Sequence, residues 1–365
     1  MSERTTGLVD AYAELVRAAG AGEAGAREAA VLSISGAHPP WTDSGIDLAA
    51  GEHVTILASG RVTLSEELGV ALPPRTWLWR RIGDKGPIFK GARDTATHPV
   101  AASGRLQLAV GSRFWATPDG DYLGSDEEFV GLPGGYEVVV IRWERQADPL
   151  AGLRTLQLHA PADPLLAAEI ERLASPAVEI PDGWEYFWRI GESESFSAGS
   201  DGARALIRAR PVDDAAILKR PLSLDLRPDT RLRWRWKIDA LPSQVAENQL
   251  HTHDYLSIAV EYDNGQDLTY YWSAALPEGT IYRCPLPGWS ECETHQVIRS
   301  GPDGVGRWFA EERTLQADYR VALGDPPGRI VGVWLIAVSL FSHSRGAADF
   351  AEIEIESGGE RLQIL

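Results

Sequence analysis

Cysteine is nearly absent from this 365-residue chain, with Cys284 and Cys292 the only two. They lie eight positions apart in a stretch rich in Pro and Gly, where a disulfide is geometrically feasible. A reducing compartment leaves them as two free thiols. Neither has a second Cys or a His at zinc-motif spacing, although His295 follows Cys292 by three positions, so no zinc motif is read here. Also missing is the apolar run of about 20 residues that a membrane span needs. The segment Met1 to Asp10 lacks the basic region followed by an apolar one that marks an export signal. The expectation is a soluble, cytoplasmic chain with no membrane partner. Positive charge is scarce as well: Lys and Arg number 35 against 52 Asp and Glu, a formal charge of -17. Such a surface repels nucleic acid and anionic lipid. No Gly-x-Ser-x-Gly elbow, no phosphate-cradling glycine loop before a helix and no His-Glu-x-x-His occurs, which excludes the hydrolases and nucleotide enzymes built on them.

What is present is enough apolar residue, 44%, to bury more than one core, and the length exceeds one ordinary domain. Residues Thr6 to Leu32 are rich in Ala and Glu, with Leu8, Tyr12, Leu15, Val16 and Ala19 at helical spacing. They predict a short helical segment over 1–36 that packs on a neighbour or on a second copy in a homo-oligomer. From Pro40 to Trp143 short alternating runs follow one another with turns between: Glu52 to Ala58, Trp77 to Ile82, Arg105 to Val110 and Tyr136 to Trp143. Strands so spaced, without helices, predict a β-sandwich over 37–148. A proline-rich linker over 149–182 contains PLLAAEIERLA, a helix that Asp163 caps and Pro164 opens. The remainder, 183–365, again reads as strands, and the chain as a whole as all-β with two jelly-roll-like sandwiches.

The densest pattern runs from Arg231 to Ser273. Leu232, Trp234, Trp236 and Ile238 alternate with Arg231, Arg233, Arg235 and Lys237, as a half-buried strand requires. Next, Leu256, Ile258, Val260 and Tyr262 share one face, and His251, His253, Tyr255, Ser257, Ala259 and Glu261 the other. That second face is where function is expected. The closing strand sets Phe350, Glu352, Glu354 and Glu356 on one side, which would make a charge ladder if it pairs with Arg233, Arg235 and Lys237.

Two resemblances add to this. WTDSGIDLAAGEHVTILASGRV, WLWRRIG, SGRLQLAV, ATPDGDYLGSDEEF and YEVVVIRW make Trp41 to Trp143 similar to the galactose-binding-like jelly roll of the PA-I galactophilic lectins. The resemblance implies a calcium ion bridging protein and sugar around Asp119, Asp121, Tyr122 and Asp126, and several oxygen donors on one loop suit a hard cation. Gly124-Ser125-Asp126-Glu127 stands where those lectins carry paired asparagines, and the segment with further sugar contacts is shortened to Gly69 to Arg75. A solvated acidic turn is the alternative. WRWKIDALP, HDYLSIAVEYDNG, TYYWS, RTLQADYRVALGDPPGRIVGVWL and FAEIEIES make Phe196 to Ser357 resemble the bacterial domain of unknown function 3047. This implies a jelly-roll-type sandwich and no established activity. The resemblance also implies that the loop at His253-Asp254 meets the turn Ser339-Leu340-Phe341-Ser342-His343. In both places histidine replaces the family's acidic pattern.

Two functions from different classes follow. In the first, the chain is a carbohydrate- or small-ligand-binding protein with its cleft on the second sandwich, where Tyr271, Trp289 and Arg235 contact the ligand. In the second, it is an enzyme of lyase, hydrolase or cyclase type. His251, His253 and His343 would then exchange protons, with Asp254 or Glu261 orienting a ring and Tyr255 or Tyr271 donating a hydrogen bond, while the first domain is scaffold. The same histidines could instead hold a metal, with His343 or Glu261 as third ligand.

Overall fold

The alternation that marks the strands also decides which faces they bury. In the computed structural model, which describes residues 17, 25–37, 41–67, 69–111, 115–122, 131–202 and 204–365, two compact units occupy Met1–Ala177 and Val178–Leu365. The first contains β1 (Ala26–Ser35), β2 (Thr42–Leu48), β3 (His53–Ser65), β4 (Val70–Leu72), the single-turn α1 (Pro74–Trp77) and β5 (Leu78–Ile82). It continues with β6 (Thr95–Pro99), β7 (Gly104–Val110), β8 (Gly134–Trp143), α2 (Pro149–Gln157) and α3 (Pro164–Ala174). One sheet has the order β1-β8-β3-β4, with β6 also on β3, and the other β2-β7-β5. Ile56, Leu78, Leu106, Val138 and Val140 fill the space between them.

Three sequence expectations change here. Residues 26–32, expected to be helical, form most of β1, where Ala29 pairs with Ile141 and Val31 with Val139. Helix propensity is a weak prior, and completing the ladder of β8 overrides it. Leu8, Tyr12, Leu15, Val16 and Ala19 lie outside the described residues. The expected linker 149–182 divides: α2 and α3 place Leu153, Leu156 and Leu166 on Leu57, Val139 and Ile141, the back of the larger sheet. Asp163 caps α3 as expected, accepting from the Leu166 amide at 2.8 Å. Asp148 does the same for α2, a helix the sequence reading missed although it opens on the same Asp-Pro-Leu signal.

The second unit contains β9 (Glu185–Tyr186), β10 (Phe196–Asp201), β11 (Arg204–Ala209), β12 (Ala215–Asp225), β13 (Arg231–Ala240), a 3-10 turn (Leu250–Thr252), β14 (Leu256–Tyr262) and β15 (Asp267–Ser273). Then come β16 (Ile281–Arg283), β17 (Glu293–Ser300), β18 (Trp308–Thr314), α4 (Leu315–Leu323), β19 (Arg329–Val338), β20 (Ala347–Ser357) and β21 (Glu360–Gln363). A sheet of order β10-β11-β20-β13-β18, with β21 on β20, packs on a seven-stranded sheet of order β16-β17-β15-β14-β19-β12-β9. All-β architecture with two sandwiches is therefore the fold. Leu232, Trp234, Trp236 and Ile238 are buried, with Trp234 stacked on Tyr270 at 5.8 Å and Trp236 against Trp272 at 6.1 Å. On the other side of β13, Arg233 reaches Glu312 at 2.6 Å, Glu354 at 3.3 Å and Glu356 at 2.5 Å, the charge ladder read from the pattern. Phe350 does not share its face. Glu352 adopts a left-handed φ of 49° at a register shift, so Phe350 and Ile353 both turn inward. Among the described residues no helix is long and apolar enough to cross a membrane.

Candidate functional site

A two-layer antiparallel sandwich ordinarily leaves the outer face of each sheet to water. The seven-stranded sheet does not. Ser257 and Ala259 on β14, and Asp267, Thr269, Tyr271 and Ser273 on β15, are all buried on its outer side. The segments 241–255 and 274–292 fold back over them, and the contacts they make define the site.

Glu247, in the first segment, accepts from Ser273 Oγ at 2.5 Å and from the Ala274 amide at 2.6 Å, tying the two segments together. Its backbone carbonyl lies 2.6 Å from His253 Nδ1. A carbonyl only accepts, so Nδ1 carries the proton and Nε2 presents a lone pair. That lone pair points to Cys284 Sγ, 3.4 Å away. The Cys284 amide donates to the Glu293 carbonyl at 3.0 Å, prolonging the β16–β17 ladder and setting the thiol opposite Glu293. Glu293 Oε1 accepts from Tyr255 Oη at 3.0 Å and lies 3.5 Å from His295 Nε2. Tyr282 stacks on the His295 ring at 5.0 Å, and Tyr255, Tyr271 and His253 meet it edge-on. Beside Glu293, Asp267 accepts from Thr269 Oγ1 at 3.0 Å. One donor atom from each of His253, Cys284, Glu293 and His295 falls within 4.8 Å of the others, and all four residues are buried.

Burial governs the electrostatics, because a charge taken out of water without a partner is costly. It holds His253 down to about 4, with the bond to Glu247 acting the other way. Burial and then the neighbouring His253 keep His295 well below the imidazole range. Glu293 is pushed up to about 7 by burial, against hydrogen bonds from Cys284, Tyr255 and Thr269. Burial raises the Cys284 thiol and the Asp267 carboxyl, and the charge of Glu293 adds to both. Burial thus shifts each of the four donors toward its uncharged form.

The same face extends toward solvent across β12, β14 and β19. Lys219 Nζ bonds Glu261 Oε2 at 2.7 Å, and Trp334 Nε1 donates to the same oxygen at 3.2 Å. Phe187 stacks on Trp334 at 5.0 Å, with Lys219 5.7 Å from the Phe187 ring. Gly332 makes this row possible, since a Cβ there would stand 2.8 Å from Glu261 Oε2.

The residues singled out from sequence have several settings. His253 and Tyr255 enter the buried cluster, and Tyr271 borders it, accepting from Tyr282 Oη at 2.9 Å. His251 is exposed on the 3-10 turn. Asp254 lies on the opposite side of the chain from His253 and accepts from the Phe341 amide at 3.0 Å, the Ser342 amide at 2.8 Å and Ser342 Oγ. The two loops do meet, but through Asp254. His343 instead bonds Asp213 through Nδ1 at 2.6 Å. Glu261 belongs to the row with Lys219. Trp289, expected to contact the ligand, is buried edge-on to Phe187 at 6.2 Å. Arg235 lies on the other sheet, 3.6 Å from Glu352. In the first unit Lys85 Nζ stands 3.6 Å from Asp119 and 3.5 Å from Asp121, while Tyr122 stacks on Trp115 at 4.3 Å. Asp126 lies outside the described residues. Sequence reasoning missed Glu247, Asp267, Cys284, Glu293 and His295 as site residues; apart from His295 they lie outside the strands read from the pattern, where no period marks them.

This is a chain of two β-sandwiches, the second with a buried polar centre on one sheet. Residues 182–354 match the model of the family described as protein of unknown function (DUF3047). No functionally curated protein matches the chain. Among solved structures, the PllA-like lectin that is the N-terminal domain of EclA is 20% identical, with 32% of this chain and 98% of that one covered and a TM-score of 0.24. The xyloglucanase domain of NopAA from Sinorhizobium fredii is 6% identical over 49% and 94% of the two chains, TM-score 0.30. The catalytic domain of Humicola grisea Cel12A is 12% identical over 43% and 83%, TM-score 0.27.

Proposed function

We propose that the chain is a binding protein for a glycan or another small polar ligand, held on the outer face of the seven-stranded sheet where that face reaches solvent. The observation that carries this reading is the Lys219–Glu261 pair, each side chain about one-fifth exposed at 19% and 20%, fixed against the Phe187–Trp334 stack. An aromatic wall with a few convergent polar groups is the usual composition of a small-ligand site. The test is a titration with neutral mono- and oligosaccharides and small polar metabolites, read by tryptophan fluorescence and calorimetry. Glu261→Gln or Lys219→Met should weaken a bound ligand by about tenfold or more, the loss expected for one charged hydrogen bond. A panel without any response, or affinities that ignore both substitutions, would overturn the reading.

A further inference from the structure

We propose that His253 Nε2, Cys284 Sγ, Glu293 and His295 bind one divalent transition-metal ion, zinc being the best match, at the buried end of the polar face. This deepens the binding reading and rests on it, naming a resident ion for the closed end of the face whose open end takes the ligand.

Geometry carries the argument. Tetrahedral zinc with bonds near 2.0 Å to nitrogen or oxygen and 2.3 Å to sulfur separates its ligand atoms by about 3.3 to 3.5 Å. His253 Nε2 and Cys284 Sγ are 3.4 Å apart, and His295 Nε2 and Glu293 Oε1 3.5 Å. Two opposite edges of the tetrahedron are therefore already at ligand spacing, and with all four atoms within 4.8 Å the remaining edges need only side-chain adjustment.

A second observation is independent of those distances. His295 is fully buried, yet neither ring nitrogen has a hydrogen-bond partner. A buried polar group left unmatched is destabilising, and native structures rarely keep one without a use. A metal bond to Nε2 supplies one of the two missing partners, at the nitrogen that faces Glu293. His253 is likewise prepared, because its Nδ1–H is held by the Glu247 carbonyl, the outer-shell contact that fixes the tautomer of a metal-ligating histidine. Glu247 is itself fastened to Ser273 and Ala274, so the orienting carbonyl is held in place.

The charges also balance. Two neutral imidazoles, one thiolate and one carboxylate offset a divalent cation, so the loaded site is neutral in a buried setting. Binding releases the thiol proton of Cys284 and, where Glu293 is protonated, its proton too, both to solvent. Cysteine among the donors disfavours calcium and magnesium, which take oxygen. Four protein ligands describe a closed centre that braces the two covering segments.

The experiment uses the full chain, prepared without chelator. Metal content is measured by elemental analysis, then the protein is stripped and titrated with cobalt(II) as a spectroscopic stand-in for zinc. The expected result is one ion per chain, tetrahedral d–d bands and a thiolate-to-cobalt charge-transfer band, displaced by zinc. That band should vanish in Cys284→Ser and persist in Cys292→Ser. If Cys284→Ser fails to fold, His295→Gln serves, losing one ligand while keeping the thiolate. A wild-type chain that takes up neither cobalt nor zinc, or a charge-transfer band that survives Cys284→Ser or depends on Cys292, would overturn the proposal. A wild-type chain that takes up no metal while its saccharide titration is intact overturns this inference alone. Silent ligand titrations with the metal-loaded protein overturn the binding reading alone.

Discussion

Asp254→Asn separates a holding role from a chemical one at the loop where histidines cluster. Oδ1 accepts from the Phe341 amide at 3.0 Å, while Oδ2 accepts from the Ser342 amide at 2.8 Å and from Ser342 Oγ. The turn they hold carries His343, whose φ of 49° is left-handed, as is the 48° of its partner Asp213. A non-glycine residue in that region needs support from its surroundings. Asparagine has the shape of aspartate but only one accepting oxygen, so in either orientation an amide hydrogen meets a donor. Losing one charged hydrogen bond costs about 1.5–3 kcal/mol, and leaving a partly buried N–H unmatched brings the expected destabilisation to roughly 2–4 kcal/mol. For a unit the size of Val178–Leu365 that is a fall in Tm of about 5–15 °C. Calorimetry measures the shift, and hydrogen exchange over 339–344 reports whether the Phe341 and Ser342 amides lose protection. A Tm within about 2 °C of wild type with exchange unchanged would refute the reasoning, since both amides would then have another acceptor.

Two further outcomes are expected in the first unit. His98 Nε2 lies 2.9 Å from Arg80, and burial first, then the charges of Arg80 and Arg172, hold its ring down to about 3. The unfolded chain takes up a proton near pH 6.5 that the fold refuses until about 3, so stability falls as pH drops through that window. His98→Gln should flatten the acid limb of a Tm-against-pH curve, by about 2 kcal/mol at pH 4, and an unchanged limb would contradict this assignment. At the acidic loop, a calcium ion would have to displace Lys85 from between Asp119 and Asp121. If the loop takes calcium, Lys85→Ala should raise its affinity in a calorimetric titration, and equal binding heats for both proteins would show that the ammonium does not compete with the ion.

Much of the second unit was legible because a strand repeats every two residues. The parity of Arg231 to Ile238 separated the tryptophans from the arginines, and the glutamates of β20 were read as a charge ladder on the condition that it pairs with β13, which it does with a register shift at Glu352. There a bulge broke the parity and no sequence signal announced it. In the first unit, local propensity misassigned residues 26–32, which become a strand only because β8 offers them a partner. The Asp-Pro-Leu cap was readable at both α2 and α3, although only α3 was inferred from it.

The sequence by itself determined the class of fold, the inward faces of β13 and β14, and the ionisable character of the face opposite. Those follow from local alternation, which needs no knowledge of what lies across the chain. Only the tertiary structure decided that this second face is dry, that His253 leaves His251 and His343 behind, and that it meets Cys284, Glu293 and His295 instead. The gap of 31 residues between His253 and Cys284 has no period to read. It closes because β15 and β17 pair in parallel, with the intervening segment folded back over the sheet, bringing Thr269 beside His295 and Asp267 beside Glu293. Burial then turns a row of polar side chains into a centre that a metal ion fits.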